Sequence, residues 1–250
     1  MSKPSQNTSF ISQKDIPVED RLIFALDVPS TDEAMQLVDD LADSVSFYKI
    51  GLELFMAGRY FELVEWLTAR DKKVFVDLKF FDVPQTVQSA VRQLKQYGAT
   101  FATVHGNDSI LEAAVKEKEP GGLKILAVTV LTSLDQADIK DLGFKVDVKD
   151  VVLSRARRAL AIGCDGVISS GLEAPELRKN LGDKLIVITP GIRPVVNTDD
   201  QKRTVDVEEA FHNGADYIVV GRPIKNHHGF DNPKEAAAAI QRRIRAVFSA

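Results

Sequence analysis

The sequence holds one cysteine, Cys164, in 250 residues. A lone thiol closes no disulfide within the chain, and without a CxxC partner it starts no thiolate zinc site. Its Ala/Ile/Gly surroundings suit a small buried residue, and such thiol poverty fits a reducing, cytoplasmic compartment. Excess positive charge is missing too. Thirty-two Lys and Arg face 36 Asp and Glu, a formal net charge of -4. No basic cluster interrupts that balance, so no nucleic-acid partner is expected, although a phosphorylated small molecule needs only local positive charge. No run of about 18 apolar residues exists, so no membrane partner is expected. Residues 1–20 are polar, lack the apolar centre of a signal peptide and read as a flexible lead. No GxGxxG follows the first apolar run.

What is present is a sizeable apolar fraction, 44%, beside 27% charged residues. That composition supports one core, and residues 21–250 read as a single domain. From Arg21 onward, short apolar runs alternate with segments of helical spacing. The runs are Leu22 to Val28, Phe47 to Gly51, Val74 to Phe80, Phe101 to His105, Lys124 to Leu131, Gly166 to Ser170, Leu185 to Thr189 and Tyr217 to Val220. The first helix opens at Ser30 or Thr31 with Glu33 close behind, a usual N-terminal signal. Pro84 begins the fourth helical segment, where its missing N–H costs nothing. Eight strands and eight helices in strict alternation imply parallel strands with right-handed crossovers, hence an α/β fold of the (β/α)8 TIM-barrel type. An open doubly wound sheet is the second choice, weakened by the missing glycine fingerprint.

In such a barrel the chemistry lies at the C-terminal ends of the strands. Those ends are polar here, whereas the strand middles are apolar. They carry Asp27, Lys49, Asp77 with Lys79, His105, Thr129 with Thr132, Ser169 with Ser170, Gly191 with Arg193, and Gly221 with Arg222. The segment Val76-Asp77-Leu78-Lys79-Phe80-Phe81-Asp82-Val83-Pro84-Gln85-Thr86 is the most telling. Side chains alternate faces along a strand, so Asp77 and Lys79 share one face, roughly 6.6 Å apart, and Val76, Leu78 and Phe80 share the other. A charge pair on an inner face is costly, and the usual return is chemistry. After the last strand, Gly221 admits close backbone approach to an anion and Arg222 offers a planar fork to phosphate oxygens. The long connection from Arg193 to Val205, with Gln201 in it, has the length of a lid.

These residues resemble a known family. Asp77-x-Lys79-x-x-Asp82-x-Pro84-x-Thr86 is similar to the signature of the orotidine 5′-phosphate decarboxylases. The likeness extends through Ala25-Leu26-Asp27, Tyr48-Lys49-Ile50-Gly51, Val104-His105, Ala127 to Ser133, Thr189 to Pro194, Asp200-Gln201-x-Arg203 and Val220 to Ile224, in the family's order. It covers the chain from about Leu22 and looks like the shorter, bacterial-type, monofunctional form. Gly106-Asn107-Asp108 and the insert at residues 195–199 depart from the family pattern.

The resemblance implies decarboxylation of orotidine 5′-phosphate to UMP and carbon dioxide, without a cofactor or metal. Lys79 delivers the proton to C6 of the pyrimidine, and Asp77 sits beside the substrate carboxylate. Lys49, Asp77, Lys79 and Asp82 form an alternating array, with Asp82 contributed by the second subunit of a homodimer. Asp27 and Lys49 hold ribose hydroxyls, Thr132 contacts the pyrimidine, and Pro190 lies against the ligand. Arg193, Gln201, Gly221 and Arg222 surround the phosphate, while Val83 and Thr86 reach into the partner's site. Leu52, Leu54, Phe55 and Met56 are candidates for the dimer interface or for an intrachain role.

Two other readings stay open. One is a sugar-phosphate decarboxylase or epimerase on the same barrel, with Asp27 and Asp77 around Mg²⁺. The other is a non-catalytic nucleotide-binding protein, which would have no need of Lys79 at C6.

Overall fold

Short runs of Val, Ile, Phe, Tyr and Ala form strands buried on both faces, as parallel strands must be. The computed structural model describes residues 9–192, 204–227 and 229–249. Its strands are β1 (Leu22–Ala25), β2 (Phe47–Gly51), β3 (Lys73–Phe80), β4 (Phe101–Val104), β5 (Lys124–Val128), β6 (Gly166–Ile168), β7 (Ile186–Thr189) and β8 (Tyr217–Val220). All neighbours pair in parallel, in chain order, and β1 closes on β8. The expected (β/α)8 barrel is the fold.

The helices are α1 (Thr31–Leu41), α2 (Leu52–Met56), α3 (Tyr60–Thr68), α4 (Pro84–Leu94), α5 (Asp108–Val115), α6 (Gln136–Asp141), α7 (Val148–Ile162), α8 (Ala174–Leu181), α9 (Val207–His212), α10 (Arg222–Lys225) and α11 (Pro233–Phe248). Ser30 caps α1 by accepting from the Glu33 N–H, and Asn232 caps α11 by accepting from the Glu235 N–H. The short helices α2, α6 and α10 add to the eight expected crossovers. Each is a turn or two within a connection at the catalytic end of the barrel, too short to show a helical period in sequence.

Alternation divides the core. Leu22, Phe24, Tyr48, Ile50, Val74 and Val76 point outward to the helices. Ile23, Phe47, Phe75, Phe101, Leu126, Ile188 and Tyr217 fill the barrel interior. Four of these rings interlock. Phe101 lies 5.1 Å from Phe47, 6.0 Å from Phe75 and 5.3 Å from Tyr217 between centroids. Each such buried ring contributes about 1.5–3 kcal/mol. Together they make a dry floor beneath the C-terminal mouth.

Residues 9–20, expected within a flexible lead, instead pack across the opposite end of the barrel. Ser12 donates to Asp216 Oδ1 at 2.5 Å, and Lys14 Nζ lies 2.9 Å from Asp216 Oδ2. Ile16 packs on the interior cluster, and residues 18–20 run into a 3-10 turn, Val18–Arg21. Asp216 has no exposed surface and also accepts from Arg178 Nη2 at 2.7 Å and from the Val187 N–H at 2.8 Å. Two cations and two neutral donors hold it ionised: burial pushes its carboxyl up, but Arg178, Lys14 and the hydrogen bonds carry it below the usual range. Burial conversely lowers the Lys14 ammonium in spite of Asp216, and the neighbouring Arg178 charge lowers it further. These polar residues are thus bound to partners about 200 positions away, which local sequence cannot display.

The β3–β4 pairing breaks where the charge pair sits. Val76 faces Ala102, but the next matched pair is Phe80 with Val104. Three residues, 77 to 79, therefore oppose Thr103 alone. Lys79 adopts φ 48°, in the left-handed region. For a residue with a Cβ this costs on the order of 1–3 kcal/mol and persists only where surroundings enforce it. Simple alternation through Phe80 was the expectation; the bulge replaces it.

Candidate active site

Three neighbouring strands repeat one arrangement: an inward aromatic ring, then two residues later an inward polar group. The pairs are Phe47 with Lys49, Phe75 with Asp77, and Phe101 with Thr103. Residues i and i+2 share a face, so the polar groups form a layer directly above the aromatic floor. Register staggers them: Lys49 lies opposite Ala25 and Phe75, and Gly51 opposite Asp77. A Cβ at Gly51 would stand 3.2 Å from Lys49 Nζ, so the missing side chain makes room for the ammonium group.

The charged side chains form one chain of contacts. Lys49 Nζ lies 2.9 Å from Asp27 Oδ1 and 3.8 Å from Asp77 Oδ2. Lys79 Nζ lies 2.9 Å from Asp77 Oδ1. The order Asp27, Lys49, Asp77, Lys79 alternates in sign, so each charge stabilises the next. Asp77 is mostly buried, and burial alone would raise its pKa. The nearby Lys49 and Lys79 charges, with hydrogen bonds from Lys79 and Thr103, outweigh that and hold it below the usual carboxylate range. Lys79, at the end of the chain, keeps a third of its side-chain surface open, 34%.

This array lines a cavity of about 860 Å³ at the mouth of the barrel. The same cavity collects Thr132, Pro190, Gly191, Gly221 and Arg222, so most of the expected site meets in one place. Gly221 precedes α10 and places Arg222 at the exposed rim. Arg193 and Gln201, and with them most of the expected lid, lie outside the described residues. Lys225, passed over in the sequence, donates to the Asp27 carbonyl at 2.8 Å and lines the cavity. Its signal was a second cation one helical turn after Gly221-Arg222. Thr103 was also passed over; the repeated aromatic-x-polar pattern marks it.

Other expected residues sit elsewhere. Asp82 and Val83 line a second, largely apolar cavity of about 940 Å³ beside the mouth, with Phe81, His105, Phe144 and Arg155. Asp82 is exposed and accepts from the Val83 N–H at 2.6 Å; Thr86 is exposed in the first turn of α4. Not every polar strand end reaches the first cavity. His105 packs edge-on against Phe81, and burial, with Arg155 and Lys79 nearby, lowers its pKa. Thr129 donates to the Ile168 carbonyl, and Ser170 to Glu173, so both are tied within the scaffold. Leu54 is buried in the core, whereas Leu52 and Met56 are exposed. Cys164 is buried, which pushes its thiol up to about 12.

Among the described residues, no group of three or more His, Cys, Asp or Glu gathers as a metal site. The position between Asp27 and Asp77 belongs to the Lys49 ammonium.

Comparison with known proteins gives this geometry its context. The profile of the orotidine 5′-phosphate decarboxylase / HUMPS family matches residues 20–240. The chain belongs to that family. A Methylococcus capsulatus protein named orotidine 5′-phosphate decarboxylase is 64% identical over 244 residues, covering 97% of this chain and 99% of that protein. One from Xanthomonas euvesicatoria with the same name is 50% identical over 233 residues, covering 93% and 95%. The crystal structure of orotidine 5′-phosphate decarboxylase from Lactobacillus acidophilus superposes with a TM-score of 0.78 at 33% identity, over 90% of this chain and 99% of that one. As a member of the orotidine 5′-phosphate decarboxylase family, the chain is an enzyme of the carboxy-lyase class. No helix among its described residues is long and apolar enough to cross a membrane.

Proposed function

We propose that this chain decarboxylates orotidine 5′-phosphate to UMP, with Lys79 as the proton donor and no cofactor. The observation that carries the reading is the alternating Asp27, Lys49, Asp77, Lys79 chain, ending in a cation inside the mouth cavity. Cleavage of the bond between C6 and the carboxylate releases carbon dioxide and leaves the electron pair at C6, in an orbital the ring π system cannot delocalise. A fixed ammonium group beside that carbon stabilises the developing charge and needs no reorganisation to do so. The Lys79 proton then passes to C6, giving UMP and a neutral amine that water reprotonates. Asp77 keeps Lys79 aimed, and its charge faces the departing carboxylate.

The remaining roles carry over from the likeness to the family. Asp27 and Lys49 hold ribose hydroxyls, Thr132 contacts the pyrimidine, and Pro190 lies against the ligand. Gly221 and Arg222 grip the phosphate, together with Arg193 and Gln201. Binding energy from the phosphate, remote from C6, is available to raise kcat. The exposed Asp82, Val83 and Thr86 complete the site of a second copy in a homodimer, which is supported by their absence from the lining of the mouth cavity and by the apolar cavity that Asp82 and Val83 border. The pathway served is pyrimidine nucleotide synthesis in the cytoplasm.

A continuous ultraviolet assay with orotidine 5′-phosphate, with and without EDTA, tests the reading. Turnover that survives the chelator is the expected result. Turnover that disappears with EDTA points to the metal-dependent sugar-phosphate chemistry of the same barrel, and tight UMP binding without turnover points to a binding protein.

A further inference from the structure

We infer that Thr103 is a positioning residue, whose hydroxyl sets Asp77 and the backbone of Lys79 in the geometry the reaction uses. The inference rests on the reading of Lys79 as proton donor and adds a residue outside the expected array.

The ladder between β3 and β4 is broken at the charge pair. Residues 77 to 79 oppose Thr103 alone, so the backbone of β4 cannot supply an acceptor for every N–H in the bulge. The Lys79 N–H, turned inward by its left-handed φ, donates to Thr103 Oγ1 at 3.0 Å. A hydroxyl has one proton to give. Thr103 gives it to Asp77 Oδ1 at 2.9 Å, while Lys79 Nζ reaches that same oxygen, also at 2.9 Å. One hydroxyl therefore closes a ring that runs from the Lys79 backbone through Asp77 to the Lys79 ammonium. Every atom that sets the direction of Lys79 is in that ring or bonded to it.

Three features make the hydroxyl hard to replace. Thr103 has no exposed surface, so water cannot take its place. Its β-branched side chain is stiff at χ1, which fixes where the oxygen stands. It also sits one layer above Phe101, whose ring is locked among three others. The rigid floor is thereby transmitted to the charged layer through β4.

Thr103→Val keeps the shape and removes the hydroxyl; Thr103→Ser keeps the hydroxyl. With orotidine 5′-phosphate, Thr103→Val is expected to lower kcat by roughly tenfold to a hundredfold, since small misplacement of a reacting group is costly. KM and the Kd for UMP should stay within about threefold, because the hydroxyl is spent on Asp77 and Lys79 and not on ligand. Thr103→Ser should recover kcat to within a few-fold. Near-normal kcat in folded Thr103→Val, or equal losses in Val and Ser, overturns the inference. If Thr103→Val fails to fold, Thr103→Cys, of similar size and with a weak donor, takes its place and must show the same loss.

A second readout needs no substrate. The groups facing Asp77 are Lys49 with Asp27 beyond it, Lys79, and Tyr60 from α3; His105 faces Lys79. None of these changes in the variant, so losing the Thr103 hydrogen bond should move the carbon-13 titration of Asp77 upward in pH. An unmoved titration overturns the inference. A wild-type protein inactive on orotidine 5′-phosphate defeats the reading of the site instead, and the Asp77 titration still decides the role of Thr103.

Discussion

Lys79 Nζ meets Asp77 Oδ1 at 2.9 Å although the backbone turns left-handed at Lys79. The contact is made by a bulge, not by two side chains leaning together along a regular strand. Relaxing that bulge would release the strain and move the ammonium, so the site holds its geometry against a local preference. Such strain persists only where neighbours enforce it.

Removing the ammonium should separate chemistry from binding. Lys79→Ala is expected to lower kcat below about one part in ten thousand, the upper range for loss of a positioned proton donor. Its Kd for UMP should change by less than about tenfold. Stopped-flow or direct absorbance assays give the first number and calorimetry the second. Turnover near the wild-type rate would remove Lys79 from the donor role.

The acid limb of kcat should reflect Asp77. Its pKa is lowered in the folded protein, so it stays ionised as pH falls to below the ordinary carboxylate value of about 3.9. At saturating substrate, kcat should not fall between pH 7 and about 4 on account of this group. Lys49→Met removes one of the two cations that lower it, so burial is opposed by Lys79 and the hydrogen bonds alone and pushes the carboxyl up. The acid limb of that variant should therefore move to higher pH. A limb that stays in place would show that Asp77 does not govern it.

A shared site makes a distinctive prediction about mixtures. Lys79→Ala and Asp82→Ala proteins should each be nearly inactive alone. After subunit exchange, half the dimers are mixed and one of their two sites is intact, so about a quarter of wild-type activity should return. Absence of recovery, with exchange verified by mass spectrometry, would assign Asp82 to its own chain or to no site.

The far end of the barrel should govern stability without touching turnover. Asp216→Asn leaves the buried Arg178 with only the exposed Asp183, 3.7 Å away, as a counter-charge, which costs up to about 3–5 kcal/mol. For a domain of this size the Tm should drop by roughly 6–20 °C, with kcat unchanged at temperatures where the variant is folded. The pH dependence follows from the lowered pKa of Asp216. Its contribution is complete above the ordinary carboxylate value and is lost as pH falls through the lowered one. Acid unfolding below about pH 4 should thus be less steep in the variant. Unchanged thermal and acid melting would contradict this account.

The sequence displays this fold well because parallel strands buried on both faces appear as compact apolar runs, and caps such as Ser30 and Asn232 mark where helices begin. It displays the array well because Asp27, Lys49 and Asp77 break the apolar pattern at strand ends. The left-handed turn at Lys79 stays hidden, since only the three-against-one pairing with β4 produces it. Polarity also misleads where the partner is remote. Ser12 and Lys14 look solvated but bind Asp216, and His105 stands at a strand end yet borders the second cavity. Thr103 is hidden by its position in a four-residue apolar strand, and becomes legible only when Phe47, Phe75 and Phe101 are lined up.

The interlocked rings of Phe47, Phe75, Phe101 and Tyr217 have a consequence for proton traffic. The three phenylalanine rings beneath the charged layer carry no donor or acceptor, so on the proposed mechanism the Lys79 amine would be recharged through the mouth. While a nucleotide fills that mouth, the refill route is occupied. On the proposed mechanism, product departure would precede lysine recharging, and solvent isotope effects on multiple turnovers should differ from those on the first.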